Sequence, residues 1–276
     1  MLAPRHLIYS ALDGALIDSR SGSFADAEEA LSELARRKIP LVLLTHRTRA
    51  EIEPLREKIG HSHPFVTEDG GGIFFPDGYF NIRIPGATRN GRYLCISQGR
   101  PYAEVCAALD DLAEECGVGI AGFHHMSVRE IAENTGLRPR DAEMARSREY
   151  DELFFFTSAG AQDIARFVEA ALARGFSARQ GETFWHFSSG CDSARAVRAL
   201  TKLFREATRI KLRAVGIGSR TEDITWLAAT DQAFLLPGPR LRTEPEPPTV
   251  VQAKSVIPGS APGPAGWNAT VLNIIG

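Results

Sequence analysis

Read from its amino terminus, the chain alternates short, wholly apolar runs with longer stretches in which apolar residues recur every three or four positions. The run HLIYSAL is followed, after a polar turn, by SFADAEEALSELARRK. There Ala27, Ala30, Leu31, Leu34 and Ala35 fall at helical spacing and Ser23 suits the N-cap. IPLVLLT lacks polar alternation, the mark of a strand covered on both faces, and TRAEIEPLREKIG is the next helix, closed by Gly60. This order predicts an α/β fold with a doubly wound parallel sheet, a Rossmann-like core. PFVTEDGGGIFF reads as a strand broken at a glycine turn, and from Tyr79 to Gly91 short strand-like pieces alternate with Pro and Gly.

The pattern then changes. Over residues 85–185 two long helical stretches, YAEVCAALDDLAEEC and AQDIARFVEAALARG, alternate with strand candidates RYLCIS, ELFFFT and FSARQGETFWHFS. SVREIAENTG and PRDAEMARSREYD add two shorter helices. This predicts an α+β unit at 85–185, inserted into a core domain built from 1–84 and 186–276. After it the βα order resumes: DSARAVRALTKLFREA, LRAVGIG, TEDITWLAAT and QAFLLP. Residues 240–263, rich in Pro, Glu and Thr, read as a surface loop, and AGWNATVLNIIG closes the chain as a helix.

Composition narrows the picture only a little. A net charge of −2 gives no electrostatic reason to expect nucleic acid or an anionic membrane as partner. Cys95, Cys106, Cys116 and Cys191 lie far apart with no CxxC pair, so they read as reduced, buried thiols. No apolar run approaches the ~20 residues that span a bilayer, and the amino terminus lacks the basic-then-apolar order of a targeting segment. The expectation is a cytoplasmic protein.

Ligands of a doubly wound sheet bind at the carboxyl ends of its strands. That singles out SALDG, THRT, GCDSAR and GIGSRTED. Through these, and through PFVTEDGGGIF, GFHHMSVREIAENTGL, REYDELFFF and GPAGWNATVL, the chain resembles the mannosyl-3-phosphoglycerate phosphatase family of the haloacid dehalogenase (HAD) superfamily, with an α+β (type IIB) cap. The resemblance implies a phosphoric monoester hydrolase. In such an enzyme an Asp after the first strand attacks phosphorus, and a second Asp two residues on acts as acid and base. A Thr or Ser and a Lys hold the phosphoryl oxygens, and carboxylates after the fourth strand bind Mg²⁺ with the nucleophile.

Against that pattern the first motif, Asp-Leu-Asp-Gly-Thr-Leu in the family, reads Ala11-Leu12-Asp13-Gly14-Ala15-Leu16 here. The nucleophile position is Ala11, leaving Asp13 as a residual acid/base position. Thr45 and Arg47 remain in the second motif. In the third, Ser193 stands where the family has Lys, unless Arg195 reaches in. In the fourth, Ser219 replaces the leading Asp, so only Asp223 and Glu222 are left as weak metal ligands. Neighbouring Ser10 is no substitute nucleophile, because strand alternation turns it to the opposite face.

The expected reading is therefore a catalytically impaired pseudophosphatase that needs no cofactor and binds a phosphorylated or acidic sugar, or a protein partner. The alternative is an active Mg²⁺-dependent phosphatase acting on mannosyl-3-phosphoglycerate or a related sugar phosphate. Loss of acidic charge at 11 and 219 favours an anion, held by Thr45, Arg47 and Arg195. Arg148 and Arg179 are candidates for carboxylate contacts, as bidentate guanidinium groups, with ion pairing as the other reading. Within the resemblance His125 stands where Asp is expected and Leu153 where Pro is expected. The pairs His124/His125 and His61/His63 read as exposed loop histidines rather than metal ligands, having no nearby Cys and no Glu at helical spacing. Trp185 is expected to pack. EDGGGIF lacks the order of a nucleotide-binding loop and reads as a tight turn.

Overall fold

In the computed structural model, residues 5–181, 183–238 and 256–276 are described. In chain order the elements are β1 (Arg5–Ala11), α1 (Glu28–Arg37), β2 (Leu41–Leu44), α2 (Arg49–Lys58), β3 (Phe65–Thr67), β4 (Gly72–Pro76), β5 (Thr88–Asn90) and β6 (Tyr93–Ser97). Then come α3 (Tyr102–Cys116), β7 (Gly119–Gly122), α4 (Val128–Thr135), α5 (Pro139–Arg146), β8 (Asp151–Ser158), α6 (Ala161–Ala173), β9 (Ser177–Gln180) and β10 (Trp185–Ser188). The chain closes with α7 (Ser193–Thr208), β11 (Leu212–Gly218), α8 (Ile224–Leu227), β12 (Gln232–Leu235), β13 (Ile257–Pro258) and α9 (Gly263–Ile275).

Among the described residues the larger sheet runs β13-β12-β11-β1-β2-β3-β4-β6-β5. It is parallel from β13 to β3 and antiparallel beyond. The apolar runs read as doubly covered strands are its centre: Leu7, Ile8, Tyr9, Leu43 and Ile217 are fully buried. Ser10 points away from the strand-end cleft, as alternation requires. Its hydroxyl donates to the Ala11 carbonyl at 2.7 Å and accepts from Trp267 Nε1 on α9 at 2.8 Å.

The second sheet, β7-β8-β10-β9, is antiparallel. One of its faces is closed by α3 and α6 over Leu109, Phe154, Phe167 and Phe187. A smaller cluster, Phe123, Met126, Ile131, Ala142 and Ala145, lies under α4 and α5. Trp185 packs against the first of these clusters, as its place in the sequence suggested.

Four local readings change. RYLCIS, assigned to the inserted unit, is β6, and with β5 it pairs at the edge of the large sheet, so pairing puts 88–97 there and 185–188 in the small sheet. FSARQGETFWHFS is a hairpin, β9 and β10, not one strand. TEDITWLAAT forms a turn and the four-residue α8 instead of a long helix. Ser23 is not the N-cap either: Phe24 and Ala27 hold the cap positions of the short turn at 25–27 and of α1, neither with a side-chain cap bond, and Ser23 Oγ only accepts locally from Ala25 N at 3.3 Å. Residues 240–255 of the predicted surface loop lie outside the described residues. Among the described residues no helix is long and apolar enough to cross a membrane.

Candidate active site

The carboxyl ends of β1 and β2, the turn after β3, the start of α7 and the loop after β11 converge on one cleft of about 590 Å³, with β8, β9 and β10 of the small sheet as its roof. Ala11, Asp13, Thr45, Ser193, Arg220, Glu222 and Asp223 line it from below, and Asp151, Arg179 and His186 from above. All four sequence motifs thus meet in one place. Ala11, paired with Leu44 at the ends of β1 and β2, presents a methyl group where an attacking carboxylate would stand.

Asp13 is almost wholly occupied by neighbouring cations. Its carboxylate takes a two-point pair from Arg47, through Nη2 to Oδ1 and through Nε to Oδ2 at 3.2 Å. Thr45 Oγ1 donates to Oδ2 at 3.4 Å and His46 Nδ1 lies 4.0 Å away. Burial pushes this carboxyl up, but Arg47 and His46 outweigh it and hold the group below the usual carboxylate range. Arg47, expected on a ligand anion, is committed to Asp13 instead.

The remaining predicted contacts separate in the same way. Arg148 is buried, pairs with Asp151 Oδ1 and donates to the His46 carbonyl at 3.1 Å. It braces cap against core and does not line the cleft. Arg195 does not enter the cleft. It spans the two chain crossings between the domains, donating to Gln98 Oε1 at 2.5 Å, the Gln98 carbonyl at 3.2 Å and the Gly190 carbonyl at 2.5 Å. Arg179 does line the cleft, paired with Asp69 Oδ2 at 2.6 Å across the mouth. Thr45 lines the floor.

Several cleft residues escaped sequence reading, among them His46, His186 and Glu68. His186 Nδ1 lies 3.1 Å from Asp151 Oδ2, and its ring stands edge-on to that of His46, 6.4 Å between centroids. Glu68 is buried with φ +48° and accepts N–H bonds from Glu149, Tyr150 and Asp151 at 2.7–3.1 Å, sewing core to cap. Their signal was position alone, just past β2, β3 and within β10.

The residues present do not fit Mg²⁺. A hard cation of this size needs near-octahedral oxygen ligands. Ala11 supplies none, and Ser219 Oγ is spent on the Asp13 carbonyl at 2.9 Å. Asp223 Oδ2 accepts from Ser219 N and Arg220 N, and Oδ1 from Trp226 Nε1, so it closes its own turn. Burial pushes its carboxyl up, against those bonds. Glu222 is half exposed and faces Arg220 at 3.7 Å.

His61 and His63 are not exposed. His61 accepts from Arg56 Nε at 2.9 Å and bonds the Leu41 carbonyl at 2.8 Å, while His63 meets Tyr79 Oη at 2.7 Å. His124 is also half-buried, between Glu152 and Asp110. It lacked visible partners in the sequence because these come from α3 and β8.

A doubly wound sheet carrying four strand-end motifs under an α+β roof is the build of a HAD-type protein with a type IIB cap. No family profile matches the chain. It is 32% identical over 272 residues, 99% of this chain and 98% of the relative, to the glucosyl-3-phosphoglycerate/mannosyl-3-phosphoglycerate phosphatase of Methanococcoides burtonii. A relative of the same description from Persephonella marina is 33% identical over 98% of this chain and 97% of its own length. The crystal structure of a HAD subclass IIB sugar phosphatase superposes over 98% of both chains with a TM-score of 0.62 at 12% identity, a likeness of fold. The chain belongs to the glucosyl-3-phosphoglycerate/mannosyl-3-phosphoglycerate phosphatase family.

Proposed function

We propose that this chain is a non-hydrolysing member of its family, whose cleft binds a phosphorylated or acidic sugar without turning it over. The observation that carries the reading is the pair Ala11 and Asp13: a methyl group at the attacking position, and an acid/base carboxylate held ionised by Arg47. Members of such a catalytic unit act together, so loss of the nucleophile alone removes orders of magnitude of rate. The cleft retains anion-binding features. Thr45 lines its floor and Arg179, paired with Asp69, its mouth, and the first residues of the sixteen-residue α7, Ser193 and Ala194, bring a helix N-terminus, capped by the Asp192 carboxylate, to its wall.

A second reading, a working phosphatase on glucosyl-3-phosphoglycerate or mannosyl-3-phosphoglycerate with Mg²⁺, is supported by the names of the relatives and by identity over the whole chain. One experiment separates the two. Phosphate release from both compounds is measured with Mg²⁺ for the native chain and for the triple variant Ala11→Asp, Ser193→Lys, Ser219→Asp, alongside thermal shift with each compound. The proposal expects stabilisation of the native protein by the anionic sugar, independent of Mg²⁺, and phosphate release, if any, only from the variant. Release by the native chain establishes the second reading, and absence of any thermal shift removes the binding role.

A further inference from the structure

The opposite face of the cap holds a second constellation. On β8, Asp151 faces the cleft and the next residue, Glu152, faces α3, as strand alternation dictates. Glu152 is fully buried. Its Oε2 accepts from Tyr102 Oη at 2.5 Å, and its Oε1 accepts from the backbone N–H of His124 at 3.0 Å and lies 2.9 Å from His124 Nδ1. A carboxylate there holds the Nδ1 proton and directs Nε2 outward. Nε2 lies 3.2 Å from Asp110 Oδ1, and the same oxygen lies 3.2 Å from His125 Nε2. Zn–N and Zn–O bonds of roughly 2.0–2.2 Å in a tetrahedron put neighbouring donor atoms about 3.3 Å apart.

We propose that Asp110, His124 and His125 form a site for a borderline divalent ion of the zinc class, with Glu152 as the carboxylate that orients His124. Two imidazoles and one carboxylate suit such an ion and disfavour Mg²⁺ or Ca²⁺. A carboxylate behind a metal-binding imidazole is the recurrent way of fixing its tautomer. Space is reserved for the arrangement: a Cβ at Gly122 would meet Glu152 Oε1 at 2.5 Å and His124 Nδ1 at 2.7 Å. Asp110 and His125 are each nearly half exposed, so a fourth position is open to solvent. A buried trio, Cys106, His124 and Glu152, competes for the same imidazole. The Nδ1 contact with Glu152 and the backbone bond beside it favour the outer three.

The test is titration of metal-stripped protein with Zn²⁺ against a chromophoric chelator, with Mg²⁺ and Ca²⁺ as controls, and the absorption spectrum with Co²⁺. One Zn²⁺ per chain is expected. Asp110→Asn and His125→Gln, both at exposed positions that leave the fold intact, should each weaken it at least about tenfold. Cys106→Ser should leave it unchanged, and the Co²⁺ spectrum should lack a thiolate charge-transfer band. Sub-stoichiometric binding, or binding that survives both Asp110→Asn and His125→Gln, overturns the proposal. Loss of binding in Cys106→Ser moves the ion to the buried trio and overturns the assignment.

Discussion

At the scale of single residues, the charged side chains of the cleft are paired with one another. Arg47 neutralises Asp13, Arg179 faces Asp69, and Arg148 neutralises Asp151. The three differ in worth. Asp69 and Arg179 are both well exposed, where such pairs contribute little. Arg148 and Asp151 are each buried to within 2% of side-chain surface. Removing one partner of a buried pair strands the other charge, so Arg148→Ala should destabilise the protein by about 3–5 kcal/mol. Arg179→Ala should cost less than about 1 kcal/mol. Urea unfolding of the two variants checks the contrast, and equal effects would refute it.

At the scale of elements, α2 shows how a helix is tied to the sheet it covers. Thr48 and Glu51 form its capping box, and its last turn delivers Arg56 to His61. His61 then reaches the Leu41 carbonyl at the start of β2. Burial, reinforced by Arg56, pushes the imidazoles down, His61 to about 3 and His63 to about 4. Their ordinary value is about 6.5. A lowered value in the fold means the unfolded chain takes up the protons first. The contribution of these histidines is therefore complete above about pH 6.5 and is lost as pH falls towards 4 and 3. Unfolding free energy should drop between pH 7 and 4.5, and the drop should be smaller in His61→Gln. An identical acid limb in that variant would count against this account.

At the scale of the whole molecule, cap and core are held together by groups from every layer of the cleft. Glu68 accepts three cap amides, Thr48 Oγ1 donates to the Met144 carbonyl at 2.8 Å, and Arg195 clasps both crossings. Arg195 is exposed, so its bonds govern local opening more than global stability. Arg195→Ala should leave the melting temperature nearly unchanged while raising amide hydrogen exchange at residues 98–100 and 189–191. Unaltered exchange there would mean that the crossings are held without it.

How much of this was legible beforehand follows from the range of each interaction. Strand and helix identity in the core rests on local periodicity, and HLIYSAL, IPLVLLT and LRAVGIG announced central strands. The methyl group at 11 and the hydroxyls at 193 and 219 are properties of the linear order too, as is Ser10 facing away from the site. The tertiary structure alone decided the partners of the charged side chains. Arg47 meets Asp13 across 34 positions, Arg179 meets Asp69 across 110, and His124 meets Asp110 and Glu152 from a helix and a strand. A guanidinium or an imidazole carries the same chemistry wherever it stands in the sequence. What it does depends on the nearest opposite charge, and that is set only when distant segments pack.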